Sequence, residues 1–232
     1  MKGDYLRRGT AEFIGTFAVT FFAAGTLMVG SAGLLGLAIA YGLTYALMWT
    51  AFGHISGGNF NPAVTLGFVS TRRIDIKLGG VYWLAQFGGA CIASLLLWWI
   101  FPTEAIKPAR LGAPLLNSLI GSGAGLVLEA LMTFFLVLAI YAIAVDDRGA
   151  VKAVSGFGMG LVITVCVLAG APLTGAAMNP ARAFGPELVN RVWESYTWIY
   201  YVGPFAAAVI AAVGYEWLFL EGREPKPAAS SG

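Results

Sequence analysis

The chain has 232 residues, of which 58% are hydrophobic and 11% are charged, and its formal net charge is +2. A charged share of about a quarter is usual for a globular domain, so this composition favours a membrane protein over an ordinary soluble one. The few positive residues are scattered along the chain, so they predict no nucleic-acid partner.

Six apolar stretches follow one another, each long enough for a helix of about 20 residues to cross a bilayer core of roughly 30 Å. The first follows basic residues, but it lacks a convincing cleavage site and is longer than a signal-peptide core, so we interpret it as a span. The sequence predicts one domain over residues 1–220 and a disordered cytoplasmic tail over 221–232. The six spans lie near residues 10–31, 34–54, 78–100, 120–145, 153–171 and 196–220.

Six spans place both termini on one side of the membrane. Ten of the 14 Lys and Arg residues fall on that side and four on the other. The positive-inside rule therefore predicts cytoplasmic termini. We expect an integral, multi-pass protein in contact with membrane lipids, and the absence of a long tail or inserted domain favours a plasma (inner) membrane.

An internal repeat divides the chain into two halves. Asn61-Pro62-Ala63 recurs 118 residues later (179 − 61) as Asn179-Pro180-Ala181, and Gly67 recurs at the same offset as Gly185. Because each half contains three spans, an odd number, the second half enters the membrane from the opposite side and the repeats are inverted. The two repeats cover about residues 8–101 and 119–220.

Each Asn-Pro-Ala motif follows a polar, Gly-rich stretch that does not resemble a spanning helix. Proline is favoured at the first position of a helix, so Pro62 and Pro180 each predict the start of a short helix. From Pro62 to Ser70 the rise is roughly 13 Å, about half the hydrocarbon thickness. The sequence thus predicts an all-α membrane protein with six transmembrane helices and two re-entrant half-helices.

The two Gly-rich loops predict a water-filled pore. Irregular backbone at membrane depth is stable only where it is buried in protein or lines a wet cavity, because unpaired N–H and C=O groups are costly in lipid. Each half-helix N-terminus carries roughly half a positive charge, and the amides of Asn61 and Asn179 add hydrogen-bond donors. This field opposes cations and excess protons, so the pattern favours passage of neutral molecules.

The residues around both motifs resemble the aquaporin, or major intrinsic protein, family. Gly53–Gly67 is similar to the first signature of that family and Leu173–Arg182 to the second, and the resemblance extends from about Ala11 to Leu220. It implies a passive channel that conducts water. It also implies a homotetramer in which each subunit has its own pore.

The resemblance further implies a narrow filter toward the extracellular side, at four positions. A cation at membrane depth is costly, so Arg182 should face a cavity and repel cations; an arginine that snorkels to the outer interface is the alternative. Water channels of the family usually carry histidine where this chain has Val167, so we expect a wider, less polar filter. Water is then favoured, together with ammonia, hydrogen peroxide or urea. A glycerol-permeable channel is the alternative, although glycerol channels carry an acidic residue where this chain has Ala183. The filter positions are Tyr41, Val167, Ala176 and Arg182.

Glu12 and Glu129 are acids within or at the margins of apolar spans. They either accept hydrogen bonds from loop N–H groups and brace the pore, as the resemblance implies, or relay protons in a secondary transporter. Gln86 is a third predicted brace. His54, near the cytoplasmic mouth, either makes a fixed hydrogen bond or gates the pore with pH.

The sequence offers no catalytic or metal-binding arrangement. Cys91 and Cys166 lie in apolar runs, where cysteine acts as a small hydrophobic residue. One histidine and two separated cysteines do not supply the usual zinc ligands, and phosphate-binding and nucleophile motifs are missing. We therefore expect no enzyme, no metal and no cofactor.

Overall fold

The computed structural model describes residues 2–148 and 155–220, and this part of the chain contains six helices long and apolar enough to cross a membrane. Two shorter helices begin at the Asn-Pro-Ala motifs, and one lies in a connection. In chain order the helices are α1 (Lys2–Val29), α2 (Gly33–Ser56), α3 (Pro62–Ser70), α4 (Ile76–Ile100), α5 (Thr103–Ala109), α6 (Ser122–Ile140), α7 (Ser155–Thr174), α8 (Pro180–Asn190) and α9 (Ile199–Tyr215).

The spanning helices match the six predicted stretches, with differences at their ends. Helix α1 begins about two turns before the predicted start, and Asp4 in its first turn forms ion pairs with Arg7 and Arg8 that weakly stabilise these turns. Helices α6 and α9 each end in a π-helical turn. The predicted tail, 221–232, and the first residues of the fifth predicted span lie outside the described residues.

Helices α3 and α8 have 9 and 11 residues and are too short to cross a bilayer. Helix α3 lies between the end of α2 and the start of α4, so it enters and leaves on the side of the termini. Helix α8 does the same on the opposite side, between α7 and α9. The predicted fold class, six spans with two re-entrant half-helices in inverted repeats, is confirmed.

Each half-helix packs against the opposite repeat, α3 on α9 and α8 on α4. The close approach depends on the two equivalent glycines of the repeat. A Cβ atom on Gly67 would lie 3.1 Å from the carbonyl oxygen of Ala208, and one on Gly185 would lie 2.5 Å from that of Ala90. A side chain at Gly185 would clash with the backbone of α4 and one at Gly67 would be tight against α9, so the two glycines allow each half-helix to pack closely on the other repeat.

The outer surface is apolar and the interior contains charged and polar groups. Leu47, Leu84 and Trp99 are 63%, 79% and 78% exposed, whereas Glu12 and Glu129 are fully buried. This distribution is the reverse of that in a soluble protein, and it suits a surrounding bilayer in which the polar groups find their partners inside the bundle.

Candidate functional site

The two Asn-Pro-Ala motifs form the N-terminal caps of the half-helices. Asn61 and Asn179 have extended backbones, and their side-chain oxygens accept from the backbone N–H groups of Ala63 (2.9 Å) and Ala181 (3.0 Å). The proline after each asparagine occupies the first helical position, where a missing N–H has no cost. Because each side-chain oxygen is bonded within its own half-helix, each amide nitrogen is directed away from it.

The amide nitrogens connect the two half-helices. Asn61 Nδ2 donates to the carbonyl of Met178, and Asn179 Nδ2 donates to the carbonyl of Phe60, both at 2.8 Å. Both asparagines are 1% exposed. The two electropositive helix ends therefore meet in the interior. Since a primary amide has two N–H groups, each nitrogen keeps a second donor.

The residue before each asparagine adopts a strained backbone conformation. Phe60 and Met178 have φ angles of 49° and 51°, in the left-handed region, which costs roughly 1–2 kcal/mol for a residue other than glycine. Their N–H groups donate to Glu12 Oε2 (2.6 Å) and Glu129 Oε2 (2.8 Å). Their carbonyls accept the crossed asparagine bonds, so hydrogen bonds hold both strained residues on both sides.

Glu12 lies at the centre of a fully buried network under the first loop. Its carboxylate accepts from the Ser56 hydroxyl (2.6 Å), the Asn59 N–H (3.0 Å) and Gln86 Nε2 (2.8 Å), in addition to the bond from the residue before the motif. Gln86 Nε2 also contacts the hydroxyl oxygen of Thr65 in α3 at 2.9 Å. The predicted brace residues Glu12 and Gln86 thus link α1 and α4 to the loop and to the half-helix.

Glu129 occupies the equivalent place under the second loop. It accepts from the Thr174 hydroxyl (2.7 Å) and from the Ala177 N–H (3.0 Å), besides the N–H of Met178. Thr174 and Ser56 are equivalent in the repeat. The same arrangement therefore occurs in both repeats. A buried carboxylate accepts hydrogen bonds from loop N–H groups, which lack the carbonyl acceptors that a helix would provide.

The four predicted filter residues are all buried in the interior of the bundle. Tyr41, Val167 and Ala176 belong to one hydrophobic cluster and are at most 3% exposed. The Tyr41 hydroxyl donates to the carbonyl of Ala177 at 3.1 Å, so α2 contacts the second loop. Arg182 follows in the first turn of α8, and its backbone N–H is bonded to the capping asparagine.

Arg182 is 3% exposed as a residue, and its guanidinium has free donors. Its Nε and Nη1 atoms have no hydrogen-bond partner among the residues that the structure describes. The residue borders a cavity of about 920 Å³ on the side opposite the termini, lined also by Gly112, Pro114, Asn117 and Gly175. Buried N–H groups of a cation require acceptors, and molecules that enter from this cavity can supply them.

The sequence as a whole matches a known family. Residues 1–215 of the chain match the major intrinsic protein family. The chain belongs to this family. The predicted membership is therefore confirmed.

Named relatives of the major intrinsic protein family are similar over almost their full length. Aquaporin TIP4-4 of Zea mays is 40% identical over 235 residues, which cover 96% of this chain and 91% of the relative. Aquaporin TIP1-2 of Zea mays is 38% identical, with 96% and 89% covered. The X-ray structure of the aquaglyceroporin from Plasmodium falciparum has a TM-score of 0.84 and 22% identity, and covers 93% of this chain and 97% of that one. That likeness shows the shared fold.

His54 lies apart from the other predicted site residues of this family member. It is in the last turn of α2, on the side of the termini, and its side chain is exposed. The buried clusters around Glu12 and the filter do not include it. The structure therefore places His54 at the surface near one mouth.

Sequence reasoning missed Tyr45. This residue is 1% exposed, and its hydroxyl lies 3.1 Å from the carbonyl oxygen of Gly58 and 3.0 Å from that of Asn59, both in the first loop. Its spacing from Tyr41 was the available signal, because residues four apart share a helix face. Tyr41 and Tyr45 together contact both loops from α2.

Proposed function

We propose that this chain is a passive channel for water and small neutral solutes that excludes ions and protons. The crossed hydrogen bonds of Asn61 and Asn179 support this proposal most strongly. They hold two helix N-termini face to face, and the positive ends of these dipoles repel a cation or an excess proton. Water, which is neutral, can accept from the remaining amide donors and donate to loop carbonyls. Membership of the family supports the same function.

The filter chemistry supports passage of solutes besides water. Val167 and Ala176 give an apolar wall, and Arg182 gives a polar corner with free donors. We propose that ammonia, hydrogen peroxide and urea pass with water. A glycerol-permeable channel is the alternative. The similar Plasmodium falciparum protein is an aquaglyceroporin, but 22% identity carries only the fold to this chain.

A proton-coupled secondary transporter is the rival from another class, and it would need an exchangeable acid. The carboxylate of Glu12 accepts four hydrogen bonds and that of Glu129 accepts three. Protonation would turn one carboxylate oxygen into a hydroxyl donor that faces backbone N–H donors. These N–H groups would then lose their acceptor, which is costly in a buried site. Both acids therefore suit a bracing role better than proton relay.

Several finer features remain proposals. We propose one channel domain over residues 1–220 with repeats over about 8–101 and 119–220, assembled as a homotetramer in contact with lipids. The proposed cytoplasmic termini rest on the charge distribution. The relatives named above are TIP-type plant aquaporins and do not support the expected plasma (inner) membrane, so the membrane of residence should be determined by imaging a tagged chain.

Stopped-flow measurements on proteoliposomes test the proposed function. Vesicles that contain the protein should shrink faster than empty vesicles under an osmotic gradient, with a low activation energy. Water, glycerol, urea, ammonia and hydrogen peroxide should be compared at equal protein content. The variant Leu47→Ala, which changes a side chain 63% exposed on the outer surface, is a matched control. Solute uptake that collapses when a proton gradient is dissipated would instead support the transporter.

A further inference from the structure

The hydroxyl of Tyr45 lies against the irregular loop that precedes Asn61. It contacts the carbonyl oxygens of Gly58 and Asn59, and its ring packs edge-to-face on Phe60 at a centroid distance of 5.7 Å. These three residues form the irregular loop before Asn61, whose carbonyls should face water. An oxygen atom within 3.1 Å of two such carbonyls excludes a water molecule from the same position.

Tyr45 lies nearer the side of the termini than the predicted filter residue Tyr41. Helix α2 runs toward the side of the termini, so Tyr45 is about 6 Å nearer that side than Tyr41. Tyr41 contacts the second loop, which enters from the far side, and Tyr45 contacts the first loop, which enters from the near side. The two phenols therefore lie at two different depths of the bundle.

Trp49 contacts the same loop one turn further along α2. A Cβ atom on Gly58 would lie 2.5 Å from Trp49 Cδ1, and one on Gly156 at the start of α7 would lie 3.1 Å from Trp49 Cε3. The indole thus fills the space between the first loop and α7 that these two glycines leave open. Phenol and indole meet the loop at the same residue, Gly58.

The internal repeat relates this pair to the filter. Trp49 precedes Asn61 by twelve residues, as Val167 precedes Asn179, and Gly58 precedes its asparagine by three, as Ala176 does. Inverted repeats place equivalent residues at equal depths on opposite sides of the membrane centre. Trp49 and Gly58 are therefore the counterparts of the predicted filter residues Val167 and Ala176, and they lie beside the first loop instead of the second.

We propose that Tyr45 and Trp49 form a second constriction of the pore, on the side of the termini, which limits solute size. The inference rests on the proposed channel function and adds two specificity-determining residues to it. The phenol has one proton, which it donates to the carbonyl of Gly58 or Asn59 or shares between them, and each carbonyl has two lone pairs, so both can still accept from water. The aromatic rings slow the passage of urea, and that of the larger glycerol more strongly, whereas water and ammonia are small enough to pass without this restriction.

The ratio of urea to water permeability in proteoliposomes tests this constriction. Tyr45→Leu should raise the ratio about tenfold, because removing a few carbon atoms from a pocket changes its selectivity between solutes of different size by about this factor. Tyr45→Phe keeps the aromatic ring, so the width of the passage is unchanged and the ratio should stay within about twofold of the wild-type value. Trp49→Leu should raise the ratio as Tyr45→Leu does. Leu47→Ala, on the exposed face of the same helix, should behave as wild type.

The outcomes separate this inference from the proposed function. If wild-type vesicles conduct no water, the channel function fails. If they conduct water but Tyr45→Leu retains the wild-type ratio, Tyr45 only braces the loop and the constriction is wrong. Should Tyr45→Leu yield too little folded protein, Trp49→Leu decides: an unchanged ratio in that variant also overturns the proposal.

Discussion

Asn61 and Asn179 each cap one half-helix and donate a hydrogen bond to the loop that precedes the other, both at 2.8 Å. The two halves of the chain are therefore coupled at the centre of the bundle. Movement of either half-helix stretches a bond to the opposite loop and exposes a buried carbonyl without a partner. Such a centre is rigid, and rigidity is what a fixed barrier to charge requires.

We predict that Asn179→Ala lowers both stability and ion exclusion. The variant loses a helix cap, which is worth about 1 kcal/mol, and a buried hydrogen bond of about the same worth. Thermal unfolding in detergent should show a loss of roughly 2 kcal/mol from these two terms. Asn61→Ala should show a similar loss, because its bonds are equivalent.

The half-buried Asn190 at the end of α8 is the control, and Asn190→Ala should change stability by less than about 0.5 kcal/mol. The double variant is informative because the two bonds share the same loops. Its loss should differ from the sum of the single losses. Strict additivity would mean that the half-helices are held independently.

We predict that Glu129→Gln strongly reduces the amount of folded channel. The carboxylate accepts from Thr174, Ala177 and Met178, and a glutamine amide places a donor against at least one of these donors. An unsatisfied buried donor costs roughly 1–3 kcal/mol. The monodisperse fraction in size-exclusion chromatography should fall, and water flux per vesicle should fall with it.

Glu104→Gln, at an exposed position in α5, makes the same chemical change and should leave the folded fraction unaltered. A proton-relay role would give a different pattern for Glu129→Gln. Folded protein would then be normal, and only uptake driven by a proton gradient would be lost. That result would favour the transporter over the channel.

Much of this fold could be predicted because its signals are local. Apolar length predicts each span, and the proline after Asn61 and Asn179 predicts where each half-helix begins. The inverted repeat then follows from counting spans. The predicted contact residues Glu12 and Glu129 could be found for a related reason, since a charge within an apolar run needs polar partners inside the bundle.

Other features depend on contacts between distant residues, which sequence patterns do not reveal. The role of the Tyr45 hydroxyl could not be predicted, because its acceptors are backbone carbonyls that only the folded loop presents. Helix α5 is short and lacks a long apolar period. Its residue Ile106 belongs to the buried cluster that also contains Met28 of α1, a contact between segments that the local sequence does not reveal. The π-helical turns likewise have no sequence signature that we can identify.

We predict that Arg182→Val admits larger solutes and some protons. The change removes the free donors of a buried guanidinium and a positive charge beside the cavity opposite the termini. Urea permeability relative to water should rise about tenfold, since the aperture widens by several atoms. Proton leak can be followed with a pH-sensitive dye inside the vesicles.

Lys107, exposed in α5 on the same side of the protein, controls for the loss of a surface charge. Lys107→Val should leave selectivity unchanged, because the charge of an exposed side chain is screened within about 10 Å at 0.1 M salt. If Arg182→Val also kept the wild-type selectivity, Arg182 would not be part of the filter.

We predict that Val167→His narrows the solute range and spares water. Val167 is 1% exposed in the cluster that contains Tyr41 and Ala176, so an imidazole there must project into whatever space the filter leaves. Urea flux should fall about tenfold relative to water. Because overpacking a buried site costs roughly 1–3 kcal/mol, stability must be measured alongside. Val167→Leu separates size from polarity: it adds bulk without a ring nitrogen, and should reduce urea flux less. If both variants keep the wild-type urea flux while remaining folded, the space beside Val167 is not part of the conducting path, and the filter must be sought at another level of the pore.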